Sequence, residues 1–98
     1  MLKLKFKDST QCIEYLLGSE FADDEIYTNM YTCIKYGVEK GYDEVIFMYV
    51  QFDEEEDMYI NLNKKDWKYN LNTCLEHFIK IENYEMCSDI KKLMADMG

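Results

Sequence analysis

Three stretches of the chain alternate their side chains with the period of a β-strand. Residues 2–7, LKLKFK, place their apolar side chains on one side, and residues 45–52, VIFMYVQF, are rich in β-branched and aromatic residues. Residues 58–62, MYINL, follow after a short polar turn. Because successive side chains of a strand point to opposite faces, this pattern predicts three strands, of which the last two form a hairpin.

The predicted hairpin has one face toward the core and one face away from it. Alternation assigns the core face to Ile46, Met48, Val50, Phe52, Met58, Ile60 and Leu62. Phe47, Tyr49 and Tyr59 would then lie together on the opposite face. The sequence therefore predicts an aromatic surface on the outer side of the sheet.

Four other segments place apolar residues three or four positions apart, as amphipathic helices do. The predicted helices cover about residues 9–18, 23–40, 64–81 and 84–97. Asp8, with Gln11 three residues later, has the arrangement of a capping box before the first helix, and Asn63 is positioned to cap the third.

The elements follow one another as β-α-α-β-β-α-α over residues 1–98, which we expect to form a single domain. This order predicts the α+β class: a small antiparallel sheet of about three strands packed with four helices. The first strand should pair with an edge of the hairpin, because an isolated two-stranded hairpin is marginally stable.

Charge is distributed unevenly along the chain, whose net charge is −9. Residues 8–57 hold 14 acidic residues and only two lysines, whereas residues 1–7 hold three lysines and no acid. Direct nucleic-acid binding is not expected, because contacts to phosphates require clustered Lys or Arg. A protein this acidic is suited to a basic partner.

Two acidic groups, one of them accompanied by tyrosines, form the candidate partner-binding surface. Its residues are Asp53, Glu54, Glu55, Glu56 and Asp57 in the predicted turn, and Asp23, Asp24, Glu25, Tyr27 and Tyr31 at the start of the second helix. Tyrosine beside carboxylate suits a surface that docks on a groove rich in Lys and Arg. Carboxylates two residues apart in an extended chain lie about 6.7 Å from each other, which favours imitation of nucleic-acid phosphates. The alternative is that the acids only solvate the turn and the tyrosines complete the core.

The sequence offers no catalytic, cofactor or metal motif, so we expect no enzyme and no cofactor. The run DEEEDMYINLNK lacks the central glycine of an EF-hand calcium loop. His77 is the only histidine, and no phosphate loop, nucleophile elbow or dinucleotide fingerprint is present. The cysteines contain no C-x-x-C pair and fit buried, reduced thiols better than a zinc site: Cys12, Cys33, Cys74 and Cys87.

Membrane and secretion signals are not found in the sequence. It has no run of 18 apolar residues, and residues 1–8 lack the continuous apolar stretch of a signal peptide. Arg and Pro are absent while Lys, Ile, Asn and Tyr are abundant, which is typical of A/T-rich genes. We therefore expect a cytoplasmic protein of a low-GC bacterium, or of a phage or plasmid in such a host.

Residues 75–97 resemble the helical hairpin called the UVR motif. The matching positions are Tyr84, Glu85, Cys87, Ser88, Ile90 and Lys91. The resemblance implies protein–protein contact and no chemistry of its own. In size, acidity and composition the chain is also similar to small phage-encoded inhibitors of host defence, which include anti-CRISPR proteins that mimic nucleic acid.

These observations predict a non-enzymatic inhibitor or modulator that places its acidic surface in the basic groove of a nucleic-acid-processing protein. The alternative function is a homo-oligomeric adaptor, for example a homodimer. It would associate through the Phe47, Tyr49 and Tyr59 face or through the C-terminal helical hairpin.

Overall fold

The computed structural model describes residues 2–18 and 20–97, with side chains for residues 3–15 and 24–97. The strands are β1 (Leu2–Phe6), β2 (Glu44–Phe52) and β3 (Met58–Asn63), and the helices are α1 (Ser9–Gly18), α2 (Glu20–Lys40), α3 (Trp67–Lys80) and α4 (Tyr84–Asp96). A single 3₁₀ turn, Lys64–Asp66, leads into α3. The α+β class and the order of the elements are as predicted.

The sheet is mixed, with β2 in the centre and the strands in the order β1-β2-β3. β3 pairs antiparallel with β2, whereas β1 pairs parallel with it, so that Leu4 lies opposite Val50. The predicted antiparallel arrangement therefore holds for the hairpin but not for β1. The reason is the connection: α1 and α2 carry the chain back before β2 starts, and such a helical crossover joins parallel strands.

A bulge in β2 changes which side chains face the core. Ile46 pairs with Asn61 and Met48 pairs with Ile60, so Phe47 is an extra residue on its strand. Phe47 is only 5% exposed and belongs to the core, whereas Ile46 is 46% exposed. The predictions that Phe47 lies on the outer face and Ile46 in the core are therefore wrong.

The core lies between one face of the sheet and the helices. α1 packs against β1, α2 against β2, α3 against α2, and α4 against α3. The largest fully buried side chains are Trp67, Phe78, Ile34, Met48, Leu71, Ile90, Val50 and Cys74. The four cysteines are free thiols and all are buried, as predicted.

Helix ends explain several polar residues of the sequence. The Asp8 carboxylate accepts a hydrogen bond from the Gln11 backbone N–H at 3.0 Å. The Gln11 side chain reaches back to accept one from Lys7 N–H at 2.7 Å, one residue before the position expected for a capping box. Asn63 accepts a hydrogen bond from Lys65 N–H and thus caps the 3₁₀ turn that precedes α3.

Candidate protein-binding surface

The acidic turn, residues 53–57, is bound to the first strand as well as to the hairpin. Asp53 N–H donates to the Phe6 carbonyl at 3.1 Å, and Glu54 N–H donates to the Lys7 carbonyl at 3.2 Å. These bonds attach the bend at residues 53–55 to the end of β1. The turn is consequently supported on one side, which an isolated hairpin tip is not.

Asp57 stabilises the turn through two hydrogen bonds to β2. Its carboxylate accepts a hydrogen bond from the Tyr49 hydroxyl at 2.5 Å and another from Phe52 N–H at 3.3 Å. The bond to Asp57 raises the pKa of the Tyr49 hydroxyl, because losing the proton would break the bond beside a negative charge. Asp57 therefore has a structural role in addition to its charge.

Glu55 attaches the turn to α1. One of its carboxylate oxygens accepts hydrogen bonds from Ser9 N–H at 3.2 Å and from the Ser9 hydroxyl at 3.1 Å. Ser9 begins α1, where unpaired N–H groups and the helix dipole favour a negative charge. The first helix and the turn thus hold each other in place.

Three acidic residues of the turn have side chains that take no part in the contacts that support it: Asp53, Glu54 and Glu56. All three are exposed, and among the described residues no side-chain hydrogen bond or ion pair engages their carboxylates. We call them the free carboxylates of the turn. They project from a turn that hydrogen bonds of Asp57, Glu55 and β1 support.

The acidic residues of α2 are placed differently. The Asp24 carboxylate lies 2.6 Å from Nε2 of His77 on α3, and the Tyr27 ring contacts the His77 ring with 4.7 Å between centroids. Tyr27 and Tyr31 pack in part against the core, so neither is a wholly surface side chain. Glu25 is exposed, and the side chain of Asp23 lies outside the described residues.

The two acidic groups are therefore supported by different parts of the molecule. The turn is bound to β1 and α1, and the start of α2 is bound to α3 through Asp24 and Tyr27. None of the contacts named above joins one group to the other. Exposed carboxylates are found in both groups: the free carboxylates of the turn and Glu25 on α2.

The outer face of the sheet adds an aromatic pair next to the turn. The rings of Tyr49 and Tyr59 stack with 4.6 Å between centroids and 24° between planes, and Tyr59 is 58% exposed. Parallel pairing places Lys3 beside Tyr49 and Lys5 beside Gln51 on this face. Sequence analysis missed the two lysines, because their position follows from the parallel pairing of β1, which periodicity does not reveal.

Neither a metal site nor a membrane-spanning helix is found among the described residues. In residues 2–18 and 20–97 no group of three or more His, Cys, Asp or Glu side chains is placed to hold a metal ion. In the same part of the chain no helix is both long enough and apolar enough to cross a membrane. The turn and the sheet face present carboxylates, aromatic rings and amides, which bind other molecules by charge, stacking and hydrogen bonds.

Comparison of the chain with protein-family models, with curated proteins and with solved structures gives no match. The resemblance of residues 75–97 to a UVR hairpin stays a prediction. In the structure these residues span the end of α3, the connection at 81–83 and α4.

Proposed function

We propose that the protein is a non-enzymatic binding protein whose acidic turn docks on a basic groove of a nucleic-acid-processing protein, inhibiting or modulating it. The observation that supports this most directly is that the acidic residues of the turn have two different roles. Asp57 and Glu55 hold the backbone, and the free carboxylates Asp53, Glu54 and Glu56 are exposed.

A preformed turn favours binding because little conformational freedom remains to be lost on association. Complementary charge would add fast association and discrimination against acidic partners. Mutual repulsion of the free carboxylates is screened by solvent in the unbound protein, and a partner rich in Lys and Arg would relieve it.

Nucleic-acid mimicry is supported by the backbone of the turn. The backbone amides of Asp53 and Glu54 are hydrogen-bonded to the end of β1, so the free carboxylates are presented from a supported turn. A groove that normally contacts phosphates would meet these negative charges instead. Such a protein would act in the cytoplasm of a bacterial host, as phage-encoded inhibitors of host defence do.

The proposal is tested by capture of partners from a low-GC bacterial lysate on the immobilised protein, followed by two elutions. Moderate salt should release the partner, and in a parallel column a DNA or RNA oligonucleotide should release the same protein. A partner that resists both would contradict docking in a nucleic-acid groove. The variant Asp53→Asn/Glu54→Gln/Glu56→Gln, which preserves Glu55 and Asp57, should capture less of that partner.

A second function is favoured by the exposed sheet face. Tyr59 and Ile46 are 58% and 46% exposed on the side of the sheet away from the helices, and a second copy could cover them. A homodimer formed through this face would be seen by light scattering and would dissociate on Tyr59→Asp substitution. A monomer over the full concentration range would eliminate this alternative.

A further inference from the structure

A cavity of about 330 Å³ lies away from the acidic turn, where the ends of α2 and α4 meet the start of α3. The apolar and aromatic residues of its lining are Gly37, Val38, Gly41, Tyr42, Trp67 and Met97. The charged residues of the lining are Lys64, Lys65, Lys68 and Asp96. The volume is near the lower end of the range for small-molecule sites, about 300–1,000 Å³.

The charge of this cavity is opposite to that of the protein. Three lysines and one aspartate give its lining a charge of +2 (3 − 1), on a chain whose net charge is −9. Three of the chain's 11 basic residues therefore lie around one opening. A concentration of this kind attracts an anion that the remainder of the surface repels.

Helix energetics do not explain these lysines. Lys64 and Lys65 form the 3₁₀ turn that leads into α3, and Lys68 is the second residue of α3. The N-terminal end of a helix carries partial positive charge, so it favours Asp and Glu and disfavours Lys. Residues that oppose local stability in this way are expected where a site requires them.

The packing of Trp67 beside the cavity depends on a glycine. A Cβ atom at position 37 would lie 2.7 Å from Cγ1 of Val45 and 2.8 Å from Cη2 of Trp67, so only Gly37 lets α2 approach the indole this closely. Tyr42 is 46% exposed, and its ring contacts Tyr36 edge to face. The cavity thus combines the exposed ring of Tyr42 with lysine side chains, whereas the indole of Trp67 is buried, with only 1% of its surface exposed.

We propose that this cavity binds a small aromatic phosphate monoester. A phosphate monoester carries a charge of about −1.5 to −2 at pH 7, which matches the +2 of the lining, whereas a carboxylate carries half as much. Lys side chains are point-charge partners of phosphate, and the aromatic part of the ligand would lie against the exposed ring of Tyr42. A nucleoside monophosphate and a phosphorylated phenol share this chemistry.

Trp67 makes the test direct, because it is the only tryptophan and it lines the cavity. Its fluorescence should change saturably when phenyl phosphate or adenosine 5′-monophosphate is added, and comparison of the two identifies which source of the phosphate fits. Adenosine lacks the phosphate group and inorganic phosphate lacks the aromatic group. Each of them should therefore bind at least tenfold more weakly than the monoesters. No saturable change with either monoester would overturn the proposal.

The lysines are tested by Lys65→Gln and Lys68→Gln, with Lys80→Gln at the other end of α3 as the matched control. Each cavity variant should weaken phenyl phosphate binding about tenfold, the loss of one charge-assisted contact, and the control should bind as the parent does. Equal affinities in cavity and control variants would contradict the site. Substitution of exposed lysines leaves the core intact, and retained Trp67 emission in the absence of ligand verifies this for each variant.

Discussion

The Tyr49 hydroxyl donates a 2.5 Å hydrogen bond to the Asp57 carboxylate across the acidic turn. The two residues are eight positions apart, one inside β2 and one just before β3. The same carboxylate accepts a bond from Phe52 N–H, so the last acid of the turn fixes its geometry. The aromatic pair of the sheet face and the acidic turn are therefore one connected surface.

This bond predicts the titration of Tyr49. Its pKa is raised above the ordinary value of 10, and Asp57→Asn should lower it, because the charged acceptor is removed. Since the folded pKa is the higher one, the associated stability is present below pH 10 and is lost as the pH rises above it. Tyrosine ¹³Cζ NMR measures the titration. Glu56→Gln is the matched control, and a fall in the Tyr49 pKa of the same size in both variants would contradict the assignment.

Gly37→Ala should destabilise the protein. The new methyl group would meet Val45 and Trp67 at under 3 Å, and overpacking of this kind costs about 1–3 kcal/mol, against a gain in helix propensity of at most about 1 kcal/mol. Urea denaturation measures the loss, and Trp67 emission should shift. Gly41→Ala is the control: its added Cβ meets no atom within 4 Å, but its φ of +73° makes alanine strained. Gly41→Ala should lower the stability without shifting the Trp67 emission. An unchanged emission in Gly37→Ala would contradict close packing at Gly37.

Cys74 should be unreactive in the folded protein. Its side chain is fully buried, and burial raises the pKa of the thiol to about 12, so the nucleophilic thiolate is scarce at neutral pH. Because the folded pKa exceeds the ordinary value of 9, the stability contributed by Cys74 should decline as the pH rises from about 9 to 12. Mass spectrometry after alkylation at pH 7.5 should find Cys74 unmodified in the native state and modified in urea. Rapid native labelling would contradict the packing around α3.

The elements of the fold were predictable because each depends on nearby residues. Alternation in residues 45–52 identified β2, and Asp8 with Gln11 identified the start of α1. The parallel pairing of β1 was not predictable, because it depends on how α1 and α2 return the chain to the sheet. The bulge at Phe47 was missed for a related reason: one extra residue in a strand leaves the sequence pattern unchanged and still exchanges the two faces.

The position of the candidate site could be predicted from the sequence, but the role of each residue in it could not. The run of acids located the turn, but only the structure separates Asp57 and Glu55, which hold the backbone, from the free carboxylates. Tyr27 was assigned to the surface because it follows the acidic residues at the start of the second helix. It packs against His77 instead, a residue 50 positions later, and such a contact depends on the placement of two helices.

The account depends most on the free carboxylates of the turn, and the salt dependence of partner binding tests them most directly. With the captured partner in hand, the dissociation constant is measured between 50 and 500 mM NaCl for three proteins. These are the parent, Asp53→Asn/Glu54→Gln/Glu56→Gln, and an equally neutralised control with the exposed residues Glu39, Glu76 and Glu85 changed to Gln. The turn variant should bind roughly tenfold more weakly at low salt and with a shallower salt dependence, while the control follows the parent. Equal affinity and slope in the turn variant and the control would contradict the docking of the acidic turn.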